Sequence, residues 1–258
     1  MLLVSNMEAK RATRKDFGSF GDGGGMDLQN ARVLVVGSTG AVGGAVAARL
    51  AEEGARLALT GRRVDALAAL GERLGAVHTF GLDLIDVDAC AVVVARAAEQ
   101  LGGLDALVVA SGVAAFGAGR DEQDAVVEEL FAVNTFGPMA LARAAIPLLR
   151  RGSCITVLTA VLADVPTAGM AAYSASKSAT SAYLTALRRE LRRDTIAVFD
   201  VRPPHMETGL AERALVGEPP RMPRGVDLGR VVELIVQGMA QGSSELVADL
   251  RSGTVALR

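Results

Sequence analysis

Tyr173 and Lys177, in the run Ala-Ala-Tyr-Ser-Ala-Ser-Lys that starts at Ala171, are the pair whose types and spacing point most directly to chemistry. Four-residue spacing puts both side chains on one face of a helix. There the ammonium favours the phenolate, so a phenol that titrates near pKa ~10 alone becomes an acid or base closer to neutral pH. Such a pair moves a proton onto or off a carbonyl or alcohol oxygen. The same spacing also occurs in helices without chemistry, as a packed tyrosine beside a solvated lysine. A glycine-rich loop far upstream gives it weight.

That loop follows a short apolar strand, Arg32 to Val36, and runs Gly37-Ser-Thr-Gly40-Ala-Val-Gly43-Gly44 into an Ala-rich helical stretch, Ala45 to Glu53. Strand, glycine turn and helix in that order form a dinucleotide cradle. Glycines let the backbone approach a pyrophosphate, and the helix N-terminus offers free N–H groups and a favourable dipole. The spacing is not the literal GxGxxG, so a plain turn and helix cap is the competing reading.

The loop and the downstream Tyr-x-x-x-Lys together resemble the short-chain dehydrogenase/reductase family, from about Asp27 to at least Thr208. Smaller motifs fall in the family's order. Asp83, in Leu82-Asp-Leu84-Ile-Asp86, stands where the family contacts adenine. Asn134, in Phe131-Ala-Val-Asn-Thr-Phe-Gly137-Pro138, matches the active-site Asn, and Thr208 matches the Thr that helps hold the nicotinamide carboxamide. The resemblance implies a cofactor site of Gly37, Ser38, Thr39, Gly40, Val42 and Gly43 in the loop, with Arg62 at the second strand. It adds Asp83 and Leu84 after the third strand, Ser111 and Gly112 after the fourth, and then Tyr173, Lys177 and Thr208. It assigns Tyr173 as general acid/base, Lys177 as the group that lowers the tyrosine pKa and binds ribose, and Asn134 as a holder of a relay water.

Departures from the family pattern matter as well. Ala41 stands where the middle glycine of the first loop is usual, Val109-Ala-Ser-Gly112 replaces Asn-Asn-Ala-Gly, and Pro203-Pro204 replaces Pro-Gly. The sharpest is at the serine usually found thirteen residues before the tyrosine, where this chain has Ala160. Thr159 is adjacent, but neighbouring strand residues face opposite ways. Its hydroxyl serves as a catalytic donor only if the strand ends early or bulges.

At 258 residues, with 50% hydrophobic content, the chain holds one large α/β domain. The net charge is −2, aromatics are 3% and no basic block stands beside aromatics, which argues against nucleic-acid binding. Cys90 and Cys154 lack metal-ligand spacing and read as buried thiols of a reducing compartment; no metal site is expected. Residues 1–26 read as a disordered N-terminal extension without signal-peptide order, and Met26 as an alternative start. The most apolar stretch, Ala106 to Gly119, is broken by Ser111 and glycines and is shorter than a membrane span. A cytoplasmic protein with no membrane partner is expected.

Over 27–258 the pattern alternates. Strands are expected at Arg32 to Val36, Arg56 to Thr60, Val77 to Phe80, Ala106 to Ala110, Cys154 to Thr159, Ile196 to Val201 and Glu245 to Val247. Helices are expected at Ala45 to Glu53, Val64 to Leu74, Asp86 to Leu101, Val133 to Leu149, Ala171 to Arg193 and Asp227 to Ala240. This predicts an α/β fold: a doubly wound, Rossmann-type parallel sheet of about seven strands with helices on both faces, and a substrate lid near 203–224.

Thr60-Gly61-Arg62-Arg63 ends the second strand. An acid there would bind the free 2′-hydroxyl of NAD; Gly61 takes that place, and the Arg62 guanidinium can grip a phosphate. NADP is therefore expected over NAD, the bland alternative being that Arg62 and Arg63 solvate a helix start. His78 and His205 are the only histidines, and neither is assigned a role. The favoured reading is an NADP-dependent oxidoreductase acting on a small carbonyl or alcohol. The alternative, motivated by Ala160, is a catalytically weak or inactive nucleotide-binding sensor or scaffold. The resemblance also implies a homodimer or homotetramer.

Overall fold

The computed structural model describes residues 25–75, 78–249 and 253–258. Eight strands form one sheet: β1 Arg32–Val36, β2 Arg56–Gly61, β3 His78–Gly81, β4 Ala106–Val109, β5 Cys154–Leu158, β6 Ala197–Val201, β7 Glu245–Asp249 and β8 Thr254–Leu257. Their order is β3-β2-β1-β4-β5-β6-β7-β8, parallel throughout except for the antiparallel β7–β8 pair. The order reverses between β1 and β4, and the crevice above that point is where such sheets take ligands.

Helices cover both faces: α1 Ala41–Glu52, α2 Val64–Leu74, α3 Val87–Leu101, α4 Asp124–Leu148, α5 Ala171–Leu191 and α6 Leu228–Gln241. Strand alternation divides the core. Val33 and Val35 pack with Val46, Leu50, Leu67 and Ile235 on the face of α1, α2 and α6. Leu34 and Val36 pack with Val94, Leu141 and Leu184 on the face of α3, α4 and α5. Each central strand buries both faces, which is why its sequence reads as an unbroken apolar run.

Most element ends fall within a residue or two of expectation, and α2 matches it. The expected extension lies outside the described residues up to residue 24; Met26, placed in it, is buried in the core with Leu28. Val77 likewise lies outside the described residues.

Three expectations are corrected. Helix α1 begins at Ala41, four residues early, because its first turn is built by the glycine loop itself. The eighth strand, β8, closes the edge as a hairpin on β7. Helix α4 begins at Asp124 rather than Val133, because a π turn over Ala132–Phe136 inserts an extra residue and breaks the 3.6-residue periodicity. This helix is long and apolar enough to cross a membrane by length and composition. In this fold it packs against α3 and α5.

Candidate active site

The glycine loop turns sharply between β1 and α1. Gly37 has φ +81°, and a Cβ there would stand 2.3 Å from Ser111 Oγ, so only glycine fits. A Cβ at Gly43 would meet the Gly37 carbonyl oxygen at 2.3 Å. Gly40 is the N-cap of α1, which has no side-chain cap and no acidic residue in its first turn. The loop therefore presents a bare helix N-terminus, a fit for an anionic group.

Gly37, Thr39, Gly40 and Val42 line a cavity of about 790 Å³ that runs from this loop across the strand ends. Ser38 does not line it. Its hydroxyl is buried and donates to the Thr60 carbonyl at 3.1 Å, tying the loop to β2. Gly43 also stands behind the wall, as a packing position. Both support the loop from behind the cavity wall.

At the end of β2 the Arg62 guanidinium borders the cavity and makes no hydrogen bond or ion pair among the described residues. Arg63, not assigned from sequence, also borders it and donates from its guanidinium to the Thr39 carbonyl at 2.9 Å. A Cβ at Gly61 would lie 2.9 Å from Thr39 Oγ1. Thr39 thus occupies the space an acidic side chain at Gly61 would enter. Asp83 and Leu84 line the next stretch of wall, Asp83 accepting from the Ile85 N–H at 3.2 Å.

Helix α5 carries Tyr173 and Lys177 into the cavity, where they are 6% and 4% exposed. Its N-cap, Met170, has no side-chain cap; the Ala172 N–H donates instead to Glu122 at 3.0 Å, a support the sequence did not reveal. Lys177 Nζ donates to the Leu158 carbonyl at 3.2 Å and lies 6.0 Å from the centre of the Tyr173 ring. It packs on Gly112, where a Cβ would come within 3.1 Å of Nζ. Lysine occurs in this sequence only at Lys10, Lys15 and Lys177.

Burial pushes the Tyr173 phenol up to about 12 and the Lys177 ammonium down to about 8. The expected lowering of the tyrosine by its lysine is not what the chain alone displays: desolvation by burial is what moves the phenol. The Tyr173 hydroxyl has no protein hydrogen-bond partner among the described residues and faces the cavity.

Asn134 sits in the π turn of α4, one layer behind. Its Oδ1 accepts from the Val113 N–H at 3.0 Å, and its Nδ2 donates to the Val113 carbonyl at 2.9 Å and Ser176 Oγ at 3.1 Å. Pro138, four residues on, has no N–H for the Asn134 carbonyl, and Thr180 Oγ1 donates there instead at 2.7 Å. The side chain ties the loop after β4 to α5. A relay water at Asn134 would bond to the second lone pair of its side-chain or its backbone carbonyl oxygen.

Ala160 closes β5 on the cavity wall in extended conformation. The β5–β6 register runs unbroken from Cys154–Ala197 to Leu158–Val201, without the bulge that would redirect Thr159. The Thr159 hydroxyl donates to Asp200 Oδ1 at 2.5 Å. Thr159, one residue past the end of β5, borders the cavity, and its hydroxyl is engaged by a buried carboxylate rather than free to meet a substrate oxygen.

Ser111, Gly112 and Thr208 line the cavity as expected. Residues 203–224 cover one side, held to the loop after β4 by the Leu215 N–H on Ala114 O at 2.8 Å and the Phe116 N–H on Val216 O at 2.9 Å. Leu162, Met170, Leu210 and Met222 make the far end apolar. His205 borders the cavity beside Glu207, whereas His78 lies in β3 away from it.

The profile of the family described as short chain dehydrogenase matches residues 31–217. The chain is 29% identical over 237 residues to bovine dehydrogenase/reductase SDR family member 7B, covering 86% of this chain and 71% of that one. Its mouse counterpart is matched over 62% of its length. The chain is 32% identical over 178 residues to the cyclic-di-GMP-binding biofilm dispersal mediator protein of Escherichia coli K12, covering 68% of this chain and 73% of that one. Among solved structures, a short chain dehydrogenase from Burkholderia cenocepacia J2315 in complex with NADP superimposes with a TM-score of 0.71 at 28% identity, over 84% of this chain and 93% of that one. Sequence, sheet order and the paired Tyr173 and Lys177 agree: the chain belongs to the short-chain dehydrogenase/reductase family of Rossmann-fold oxidoreductases.

Proposed function

We propose that this protein is an NADP(H)-dependent oxidoreductase that reduces the carbonyl group of a small, largely apolar substrate. The observation that carries this reading is the free Tyr173 hydroxyl facing the cavity one helical turn from buried Lys177. The loop from Gly37 to Val42 and the bare N-terminus of α1 suit the pyrophosphate. The unpaired Arg62 guanidinium suits a 2′-phosphate, Asp83 and Leu84 the adenine, Lys177 the ribose and Thr208 the carboxamide. NADPH, when bound, supplies the hydride that goes to the carbonyl carbon.

The chain's own work is the proton. With its phenol near 12, Tyr173 is protonated at neutral pH, the state that gives a proton to the carbonyl oxygen as the alcohol forms. The phenolate left behind is balanced by the Lys177 ammonium until water returns the proton. The apolar end of the cavity selects a substrate with an apolar flank. The exposed Phe136 and Leu148 on α4 support a homodimer or homotetramer, and the buried free thiols of Cys90 and Cys154 support a reducing, cytoplasmic setting.

One observation favours a second reading. Ala160 and the committed Thr159 hydroxyl leave the substrate oxygen one donor short, as suits a nucleotide-binding sensor or scaffold of weak turnover, and the E. coli relative is named for ligand binding. Fluorescence titration with NADPH and NADH, followed by a panel of apolar ketones and aldehydes monitored for NADPH consumption, decides. Tighter NADPH binding with turnover is the expected result. Binding without turnover across the panel overturns the enzyme reading for the sensor.

A further inference from the structure

Asp200 lies in β6, fully buried, and the chemistry above makes no use of it. A carboxylate there needs donors and counter-charge to persist. Ser181 Oγ donates to Oδ2 at 2.6 Å from α5, and Thr159 Oγ1 donates to Oδ1 at 2.5 Å from the end of β5. Arg202 only partly neutralises it. Its Nε stands 3.4 Å from Asp200 Oδ2 and makes no hydrogen bond, while its terminal nitrogens pair outward with Asp164 at 2.7 Å and Glu245 at 2.6 Å.

Lys177 approaches the same strand end. Its Nζ donates to the carbonyl of Leu158, the residue before Thr159. Ser181 is one turn beyond Lys177 on the same face of α5, so the helix turn that presents the ammonium also grips Asp200. The Leu158–Thr159 peptide is thus held by a buried cation on one residue and a buried carboxylate on the next. No carboxylate reaches Lys177 directly: among the described residues it takes part in no salt bridge within 4.0 Å.

We infer that Asp200 is a positioning residue of the active site: it is the fixed counter-charge that keeps the buried Lys177 ammonium ionised, and through Thr159 and Ser181 it holds the strand end that aims that ammonium into the cavity. The ionisable groups around the pair are few. Tyr173 shares α5 with Lys177; burial raises the Asp200 carboxyl, and the hydrogen bonds from Ser181 and Thr159 together with the charges of Arg202, just after β6, and Arg188 from α5 oppose that, with Asp164 and Glu245 beyond Arg202. Burial draws the Lys177 pKa down, and the charge of Asp200 is the opposing influence. Without it, the buried lysine favours its neutral form and loses the charge that balances a tyrosinate.

This inference rests on the proposed role of Lys177, yet its test needs neither cofactor nor substrate. Lysines at only three positions make the full-length, cofactor-free protein suited to ¹³Cε-lysine NMR, with Lys177→Arg assigning the buried signal. In the wild type that signal titrates near 8. In Asp200→Asn, which keeps volume and hydrogen-bonding groups, its midpoint falls by about one unit or more. Thr159→Val and Ser181→Ala, which leave the carboxylate in place, produce smaller shifts. An unchanged midpoint in Asp200→Asn overturns the inference. Should that variant not fold, the wild-type curve decides: a second, acidic inflection in the Lys177 signal as Asp200 protonates supports the coupling, and its absence overturns it. Failure of the oxidoreductase reading would appear in the cofactor and substrate assays and leave these titrations as they are.

Discussion

The Thr159 hydroxyl donates to Oδ1 of Asp200 at 2.5 Å, one residue past the end of the β5–β6 register. A hydroxyl has one proton to give. Given to a buried carboxylate, it is not available to a substrate oxygen, and Ala160, which faces the cavity, has no hydroxyl to replace it. On the proposed chemistry the site has a proton donor in Tyr173 but lacks the second donor that usually sits beside it in the family.

Ala160→Ser is expected to supply that donor. Its Cβ already lies on the cavity wall, so kcat on a simple ketone should rise by up to ~10²-fold if the hydroxyl acts mainly on the transition state. Thr159→Val should instead register mainly as a stability loss of about 1–3 kcal/mol, because Asp200 loses a buried donor. Steady-state kinetics and denaturant unfolding of both variants check this. Loss of most turnover in Thr159→Val, with stability unchanged, would make Thr159 the direct donor after all.

Arg62→Ala tests cofactor choice. The Arg62 guanidinium is unpaired at the rim, whereas Arg63 is tied to the Thr39 carbonyl. Removing Arg62 should weaken NADPH binding by roughly ten- to a hundredfold, the worth of a charge-assisted hydrogen bond, with NADH nearly unaffected. Equal losses for the two cofactors in a fluorescence titration would detach Arg62 from the 2′-phosphate.

The doubly wound class and most element ends were legible because the central strands are mostly apolar and helices such as α2 repeat Leu67, Leu70 and Leu74 at helical spacing. The start of α4 was not, because the π turn throws the apolar positions before and after Ala132–Phe136 out of phase. In the site, Tyr173, Lys177 and the glycines announce themselves by spacing, but what a hydroxyl bonds to is set by a partner far along the chain. Thr159 meets Asp200 41 residues away, and Ala172 meets Glu122 50 residues away. Only Asp200 left a local signal, as a lone carboxylate inside an apolar strand, where a charge seldom goes without a partner.

Tyr173→Phe separates proton transfer from binding. The tyrosine hydroxyl makes no hydrogen bond among the described residues, so its removal leaves the packing of α5 intact. Turnover should fall to background while the NADPH dissociation constant stays within about twofold, since removing a group used only in the transition state spares ground-state binding. Retained turnover would move the proton donor elsewhere.

Lys177→Met tests the energetic cost of the site. In the unfolded chain Lys177 titrates near 10.5, and in the fold burial lowers it to about 8. Between those pH values the unfolded state holds the extra proton, so stability rises with pH across this window. Below pH 8 both states are protonated and the fold bears the full penalty of a buried ammonium, about 3 kcal/mol. Lys177→Met, similar in length and apolar, should therefore be more stable than the wild type by up to that amount at pH 7, less the lost bond to Leu158, the attraction of Asp200 being already contained in the value of about 8. The difference should shrink as pH climbs through 8 and level off above 10.5. Urea unfolding from pH 6 to 10 measures it. A Lys177→Met protein less stable than the wild type at pH 7, with a gap that does not change with pH, would mean that Asp200 and the Leu158 carbonyl fully compensate the charge. The gain in stability, accompanied by lost cofactor affinity, would mark Lys177 as a residue retained for function against the preference of the fold.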